Sequence, residues 1–397
     1  MSNVTKHRVL IIGGGTAGIT VAARLHRKGY RDVALIEPSD THYYQPLWTL
    51  VGGGQARAAS TQRPMHSVIP PSTTWIKQSV DTFDPDNNSV TCADGSVHGY
   101  DVLVVCPGIQ LDWSKTDGLS RAIGHGGVSS NYRYDLAPRT WEMIRGLRSG
   151  TAVFTVPSGP IKCAGAPQKI AYLASDYWRK QGVLDDIDVH LIMPTPRPFG
   201  IASIAASLDK VIDDYGISLH VNSEMTAVDP SSRTVEITGE SGSTTMSYDF
   251  LHAVPQQSAP DFIKASPLSV KDANGYVAVD KYTMQHVRYP NVFALGDVAS
   301  TPNSKTGAAI RKQAPVVVHN IDAVLNRRAA TAHYDGYSSC PIVTSSKSML
   351  LAEFDYDLTL RPSFPLLDPS VPHRPYWYVK KHGLPFMYWN FMLKGLA

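Results

Sequence analysis

VLIIGGGTAG, residues 9–18, decides the fold. Val9 to Ile12 is apolar and mostly β-branched, as in a parallel strand covered on both faces. Gly13, Gly15 and Gly18 then form G-x-G-x-x-G. The first glycine makes the tight turn and the second lets a pyrophosphate approach the backbone. The third lets the next helix pack close to the strand. That helix runs through Ile19, Ala22, Ala23 and Leu25, its free N–H groups facing the phosphate. Tyr30 to Ile36 reads as a second strand and ends in Glu37, placed to hold a ribose hydroxyl. Gly13, Gly15, Thr16, Ala17, Gly18 and Glu37 are the first candidate dinucleotide ligands.

Composition bounds the rest. The 397 residues allow two or three domains with ample core. Hydrophobic residues make up 43% and charged residues 18%, so the chain is globular. A net charge of +3 without a long basic cluster argues against a nucleic-acid partner. Four cysteines and no C-x-x-C rule out a disulfide-stapled scaffold and disfavour a cysteine metal site. Fourteen histidines include no H-x-x-x-H pair, so no metal is expected. The first strand begins near residue 8, and a signal or transit peptide is not expected. No apolar run reaches the roughly 18 residues of a membrane span. The expectation is a cytoplasmic protein, or one that lies on a membrane without crossing it.

Working outward, THYYQPLWTLVGGG (41–54) places Tyr43, Tyr44, Gln45 and Trp48 where a flavin ring would extend. Thr74 to Val80 and Ser89 to Cys92 read as short strands. Tyr100 to Cys106 is a buried strand, and the Pro107-Gly108 turn after it can bring the chain back to the dinucleotide. Thr151 to Val156, a helix over 167–182 and Ile187 to Met193 repeat the strand-turn-helix layout. Ile204 to Tyr215 reads as a helix, and Val228 to Ile237 with Thr244 to Asp249 as a small antiparallel sheet. Tyr289 to Gly296 is a strand leading to Asp297, a carboxylate suited to a ribityl or ribose hydroxyl. Lys305 and Thr306 open a helix reaching about Asn326, whose N-terminus would face the flavin. From Pro372 the tail is dense in aromatics and methionine, with Lys380, Lys381 and Lys394 interspersed. It reads as an interfacial amphipathic segment, the alternatives being a helix docked on its own domain or a homodimer contact.

This is the plan of a flavoprotein with two dinucleotide-binding folds, the second of which normally holds a nicotinamide. Here the second turn, PSGPIKCAGAP (157–167), lacks the glycine fingerprint. Pro157, Pro160 and Pro167 remove three N–H donors, and Cys163 stands where a hydride donor would approach. A thiolate is the reactive form of cysteine, and a helix N-terminus lowers its pKa, with Lys162 adding positive charge. Cys106 reads as structural, Cys92 carries no signal, and spacing does not decide Cys340.

Taken together, THYYQPLWTLVGGG, SNYRYDLAPRTWE, KCAGAPQKIAYL, YPNVFALGD, SKTGAA, YDGYSSCPIVT, LAEFDYD and LPFMYWNFMLKG resemble the sulfide:quinone oxidoreductase family of bacteria and mitochondria, over nearly the whole chain. The resemblance implies an FAD enzyme on the membrane surface that uses no nicotinamide. It would oxidise sulfide and reduce a membrane quinone. In the family's mechanism two cysteines beside the flavin are bridged through sulfur. Sulfide attacks the bridge and leaves a persulfide on one; the other, as thiolate, engages the flavin C4a. By their motifs Cys163 matches the flavin-facing cysteine and Cys340 the persulfide carrier. A thiol, sulfite or further sulfide would be the sulfur acceptor. Related chains can carry a cysteine after the late Gly-Asp, where this one has Val298; that position is outside the pair, so the cycle is expected to survive.

The expected architecture is α/β, with two Rossmann-like dinucleotide-binding domains of the FAD-dependent disulfide reductase kind and a C-terminal membrane-interacting region. Residues 1–110 and 285–330 form the FAD domain, 111–284 the second unit with Cys163, and 331–397 the quinone- and membrane-binding region with Cys340. Candidate FAD ligands are the first-turn residues with Gln45, Gly108, Gly296, Asp297, Lys305 and Thr306. Phe354, Phe386, Tyr388 and Trp389 are candidate quinone walls. Two competing functions are an NADH:quinone oxidoreductase of the same fold and a non-catalytic flavin-binding redox sensor.

Overall fold

The structure is a computed structural model that describes residues 4–163 and 165–397. Its largest sheet is built on Thr5–Ile12, whose second half is fully buried. Val33–Ile36 and Val97–Val105 flank it in parallel, with Ile12 in register with Ile36 and Val105. Thr73–Ile76 extends one side. On the other, Val292–Ala294 runs parallel to the end of Val97–Val105, whose beginning pairs antiparallel with Ser89–Cys92 and so leads to Val80–Asp84. The single strand expected over 74–80 is therefore two, broken where the chain leaves the parallel sheet.

A second, all-parallel sheet has the order Val128–Ser129, Phe250–His252, Gly150–Thr155, Ile187–Ile192, Ser218–His220. The helix Ala166–Gln181 covers it and ends at Gly182, which takes the left-handed conformation. A three-stranded antiparallel sheet follows, from Ser223–Asp229 through Thr234–Gly239 to Gly242–Ser247. Its first two strands were read as one run, 228–237. Pro230 has no N–H to pair, and Ser231 N donates instead to Asp229, closing a turn.

Residues 257–284, assigned from sequence to the second unit, pack on the first. Gln257–Ser258 pairs with Gln110–Leu111, Phe262 stacks on Phe83, Val277 N donates to the Val298 carbonyl, and the Met284 carbonyl accepts from Ala294 N on the first sheet's strand Val292–Ala294. The C-terminal region also divides. The hairpin Ser338–Ser345 and Ser348–Phe354 lies on the helix Ala166–Gln181 and carries the tail's first helix, Arg374–Tyr378, whereas the tail's end, Met392–Lys394, lies on the first unit's helix Thr16–Arg27. No helix among the described residues is long and apolar enough to cross a membrane.

Candidate active site

The glycine turn has the shape its sequence demands. Gly13 is at φ +102°, and a Cβ there would stand 2.6 Å from the Cys106 carbonyl. A Cβ at Gly18 would stand 1.9 Å from the Gly13 carbonyl, which is the close helix–strand approach. At Gly15 a Cβ would meet nothing within 4 Å, so the face a pyrophosphate must approach is clear. Glu37 accepts from the Gly14 amide at 2.7 Å and the Ser39 amide at 2.8 Å, which holds its carboxylate at the turn's edge. Gly296 lies against the same turn, its Cβ direction 3.5 Å from Ala17, so the late Gly296–Asp297 does come back to the first fold. Cys106, fully packed under Gly13, brings Pro107 and Gly108 to it as well. Thr306 caps the helix Gly307–Leu325 by accepting from Ala309 N. Buried polar atoms without a protein partner remain at Trp48 Nε1, Gln257 Nε2 and Gln313 Nε2, and Gln313 already accepts from Gly296 N. A clear approach at Gly15, a carboxylate at the strand end and these free donors fit a bound FAD.

Beside this fold stand the two thiols. Cys163 and Cys340 are free, with sulfurs 4.0 Å apart, well beyond the roughly 2.05 Å of a disulfide. They come together from positions 177 residues apart. Cys340 is buried on the strand Ser338–Ser345, opposite Ala352. Gly165 must be glycine here, because its Cβ would sit 2.7 Å from the Cys340 sulfur. Cys163 is partly buried and left-handed, at φ +54°, a conformation costly for a residue with a side chain. Two backbone bonds hold it: its N–H donates to the Lys305 carbonyl at 2.9 Å, and its carbonyl accepts from Ala166 N at 2.7 Å. Lys305 thus ties the second turn to the late return of the first fold.

The pair is electrostatically unequal. The hydrogen bond from Cys340 and the Lys169 ammonium hold Cys163 well below the ordinary thiol range, against burial. Cys340, its proton shared toward Cys163, is pushed well above that range by this bond and by burial. Cys163 is therefore the thiolate and Cys340 the thiol. Lys169 was not singled out in the sequence, yet its Nζ lies 3.0 Å from the Cys163 sulfur, six residues on in the first turn of the helix. Burial opposes its charge, but the thiols' negative charge outweighs that and raises its pKa. Lys162, expected to supply the charge, turns its ammonium to Gln45 Oε1 at 2.7 Å. A second buried ammonium arrives from the tail: Lys380 donates to the Pro46 carbonyl at 2.9 Å, and burial and Lys169 pull it down to about 8. The buried Tyr132 completes the wall, donating to the Lys162 carbonyl at 3.1 Å. Lys169 could have been suspected only as a cation in the first turn of the helix after Cys163; nothing local pointed to Lys380.

The tail divides the four proposed quinone walls. Phe386 and Trp389 line a surface cavity of about 630 Å³ with Leu47, Gln55, Arg63 and His382. Tyr388 does not, because it sits on the opposite face of the helix Leu384–Asn390. Its hydroxyl lies 2.6 Å from His42 Nε2 and 2.9 Å from Thr16 Oγ1. Burial lowers His42 to about 4, so its imidazole is neutral. His42 Nδ1–H then donates to the Gly14 carbonyl at 2.9 Å, and Nε2 accepts from Tyr388. Phe354 is also away from this cavity, buried edge-on against Phe199 at the hairpin's end. Val298 is fully buried in the first core, a packing position.

Two nucleotide-binding folds meeting at an activated dithiol define a pyridine nucleotide-disulphide oxidoreductase, and the profile of the family so described matches residues 7–315. Within that class, the mitochondrial sulfide:quinone oxidoreductase of Dictyostelium discoideum is 40% identical over all of this chain and 87% of its own length. That of Mus musculus is 38% identical over 98% of this chain and 87% of its own. The chain belongs to the sulfide:quinone oxidoreductase family. The crystal structure of the Aquifex aeolicus enzyme has the same fold, with a TM-score of 0.82 at 19% identity, over 99% of this chain and 92% of that one.

Proposed function

We propose that this protein oxidises sulfide to protein-bound sulfane sulfur and reduces a membrane quinone, with Cys163 and Cys340 as the reacting pair. The carrying observation is two free cysteine sulfurs 4.0 Å apart, with the buried Lys169 Nζ 3.0 Å from the Cys163 sulfur. The Gly13–Gly18 turn, Glu37 and the Gly296–Asp297 return would hold FAD, which when bound would supply the two-electron acceptor between the thiols and quinone. At neutral pH sulfide is largely an anion, and Lys169 with Lys380 draws it to the thiols. In the oxidised enzyme one sulfur atom bonded to both cysteines would close the gap between them; building it from the dithiol and sulfide releases two electron pairs, which the bound flavin would take up and hand to quinone. Hydrosulfide opens that bridge and leaves a persulfide on Cys340 and an anionic sulfur on the Cys163 side. Lys169 holds that negative charge in place, and Tyr132 keeps water from it. An acceptor thiol, sulfite or further sulfide then removes the outer sulfur from Cys340.

The cavity lined by Phe386 and Trp389 suits a quinone ring. Around it Tyr378 is 64% and Phe386 62% exposed, with Phe391 and Leu396 also outward, a surface that meets a membrane. The test is the flavin absorption spectrum during anaerobic titration with sulfide, then with a soluble quinone. Bleaching by sulfide that quinone reverses is expected. Bleaching by NADH alone would make the protein an NADH:quinone oxidoreductase, and no bleaching by either would make it a sensor.

A further inference from the structure

We infer that Glu224 excludes nicotinamide dinucleotides from the second nucleotide-binding fold, and so determines which electron donor this enzyme takes. The inference rests on the reading that sulfide is that donor. In a doubly wound sheet a ligand's phosphates take the N–H groups of the turn at the strands' carboxyl ends. In the second fold that turn follows Gly150–Thr155. Pro157 and Pro160 contribute no N–H to it, which leaves the Ser158 and Gly159 amides between them, and of these the Ser158 amide is the one the fold engages. Glu224, reaching over from the strand Ser223–Asp229, has taken this donor. Its Oε1 accepts from Ser158 N at 2.9 Å, from the Ser158 hydroxyl at 2.9 Å and from Gln256 Nε2 at 3.1 Å. Gln256 Nε2 also donates to Ser158 Oγ at 3.0 Å, so the three side chains lock together.

A carboxylate oxygen thus lies on the turn with three donors, as a diphosphate oxygen would. Room for the rest of a nucleotide exists beside it. A cavity of about 250 Å³, lined by Pro194, Asn222, Glu224, Thr226 and Thr238, lies just past the end of Ile187–Ile192. Glu224 both lines that cavity and bonds the turn at Ser158. The first fold differs in one respect that matters. Glu37 also accepts a turn amide, but Gly15 beyond it stays clear. An incoming diphosphate at the second turn meets a like charge and finds the Ser158 donors taken.

The test titrates the FAD-loaded protein with ADP-ribose, which carries the diphosphate and no hydride, and separately follows the flavin with sulfide and with NADH. Glu224→Ala should bind ADP-ribose at least about tenfold more tightly than the unsubstituted protein, since the repelling charge is gone and the Ser158 donors are released. Glu224→Gln keeps the side chain's length and removes only its charge, and should fall between them. It also decides the matter if the alanine variant does not fold. Bleaching by sulfide should be unchanged in both. If neither variant tightens, Glu224 does not exclude the nucleotide, while the sulfide reading stands. If the unsubstituted protein already binds ADP-ribose as tightly and NADH bleaches its flavin, the sulfide reading falls as well.

Discussion

The Cys163 sulfur is set by contacts that its own sequence neighbours do not supply. Its left-handed backbone is held by Lys305, its charge by Lys169 and by the Cys340 proton. Replacing either cysteine by serine removes one end of the sulfur bridge, so Cys163→Ser and Cys340→Ser should each abolish flavin bleaching by sulfide. A Cys340→Ser variant that turns over normally would remove Cys340 from the site. The charge has a signed consequence. Because the folded state lowers the Cys163 pKa, the thiolate is present above that pKa and is lost as pH falls through it. Lys169→Met removes the nearest cation and moves this loss toward neutral pH. Below the unsubstituted protein's midpoint, the bleaching rate should drop by about tenfold. A pH–rate profile that superimposes on the unsubstituted one would show that Lys169 does not hold the thiolate.

Among the elements, the helix Leu384–Asn390 has two roles because its faces look in opposite directions. Phe386 and Trp389 line the surface cavity, with Arg63 over the Trp389 ring at 4.7 Å. Tyr388 reaches inward and links the tail to the glycine turn through Thr16, His42 and Gly14. Tyr388→Phe keeps the ring against Tyr44 but leaves the buried His42 Nε2 without its donor. That should cost about 1–3 kcal/mol. Denaturant unfolding should show a lower midpoint at unchanged slope, and FAD should be released at lower denaturant. An unchanged midpoint would mean that the three-residue link carries no stability.

For the whole molecule, the tail is neither simply docked nor simply free. Tyr376, Trp377, Met392 and Leu393 are buried on the protein, while Tyr378, Phe386, Phe391 and Leu396 face out. The tail is thus docked on the protein through one set of side chains and presents another set outward, the set proposed above to meet a membrane. Burying an exposed aromatic in lipid is worth about 1.5–3 kcal/mol. The pair Tyr378→Ser and Phe391→Ser should therefore weaken co-sedimentation with anionic vesicles by about tenfold or more. Binding that survives both changes would place the membrane contact elsewhere.

By itself the sequence determined whatever depends on neighbours in the chain. The glycines of residues 13–18 report a turn that only glycine tolerates, and the apolar runs report strands covered on both faces. The proline-rich second turn reports lost donors. Cys163 was legible from its place in that turn, and Cys340 only by its resemblance to a family motif. Tertiary structure alone decided what is brought together across long separations. It buries Lys380 at the Pro46 carbonyl, where its charge acts on Cys163, sends Tyr388 inward while Trp389 lines a cavity, and puts Glu224 on the turn at Ser158. It also returns residues 257–284 to the first core. The physical reason is range: backbone sterics and periodicity act within a few residues, whereas charge, burial and hydrogen bonding at the site join positions far apart in the chain.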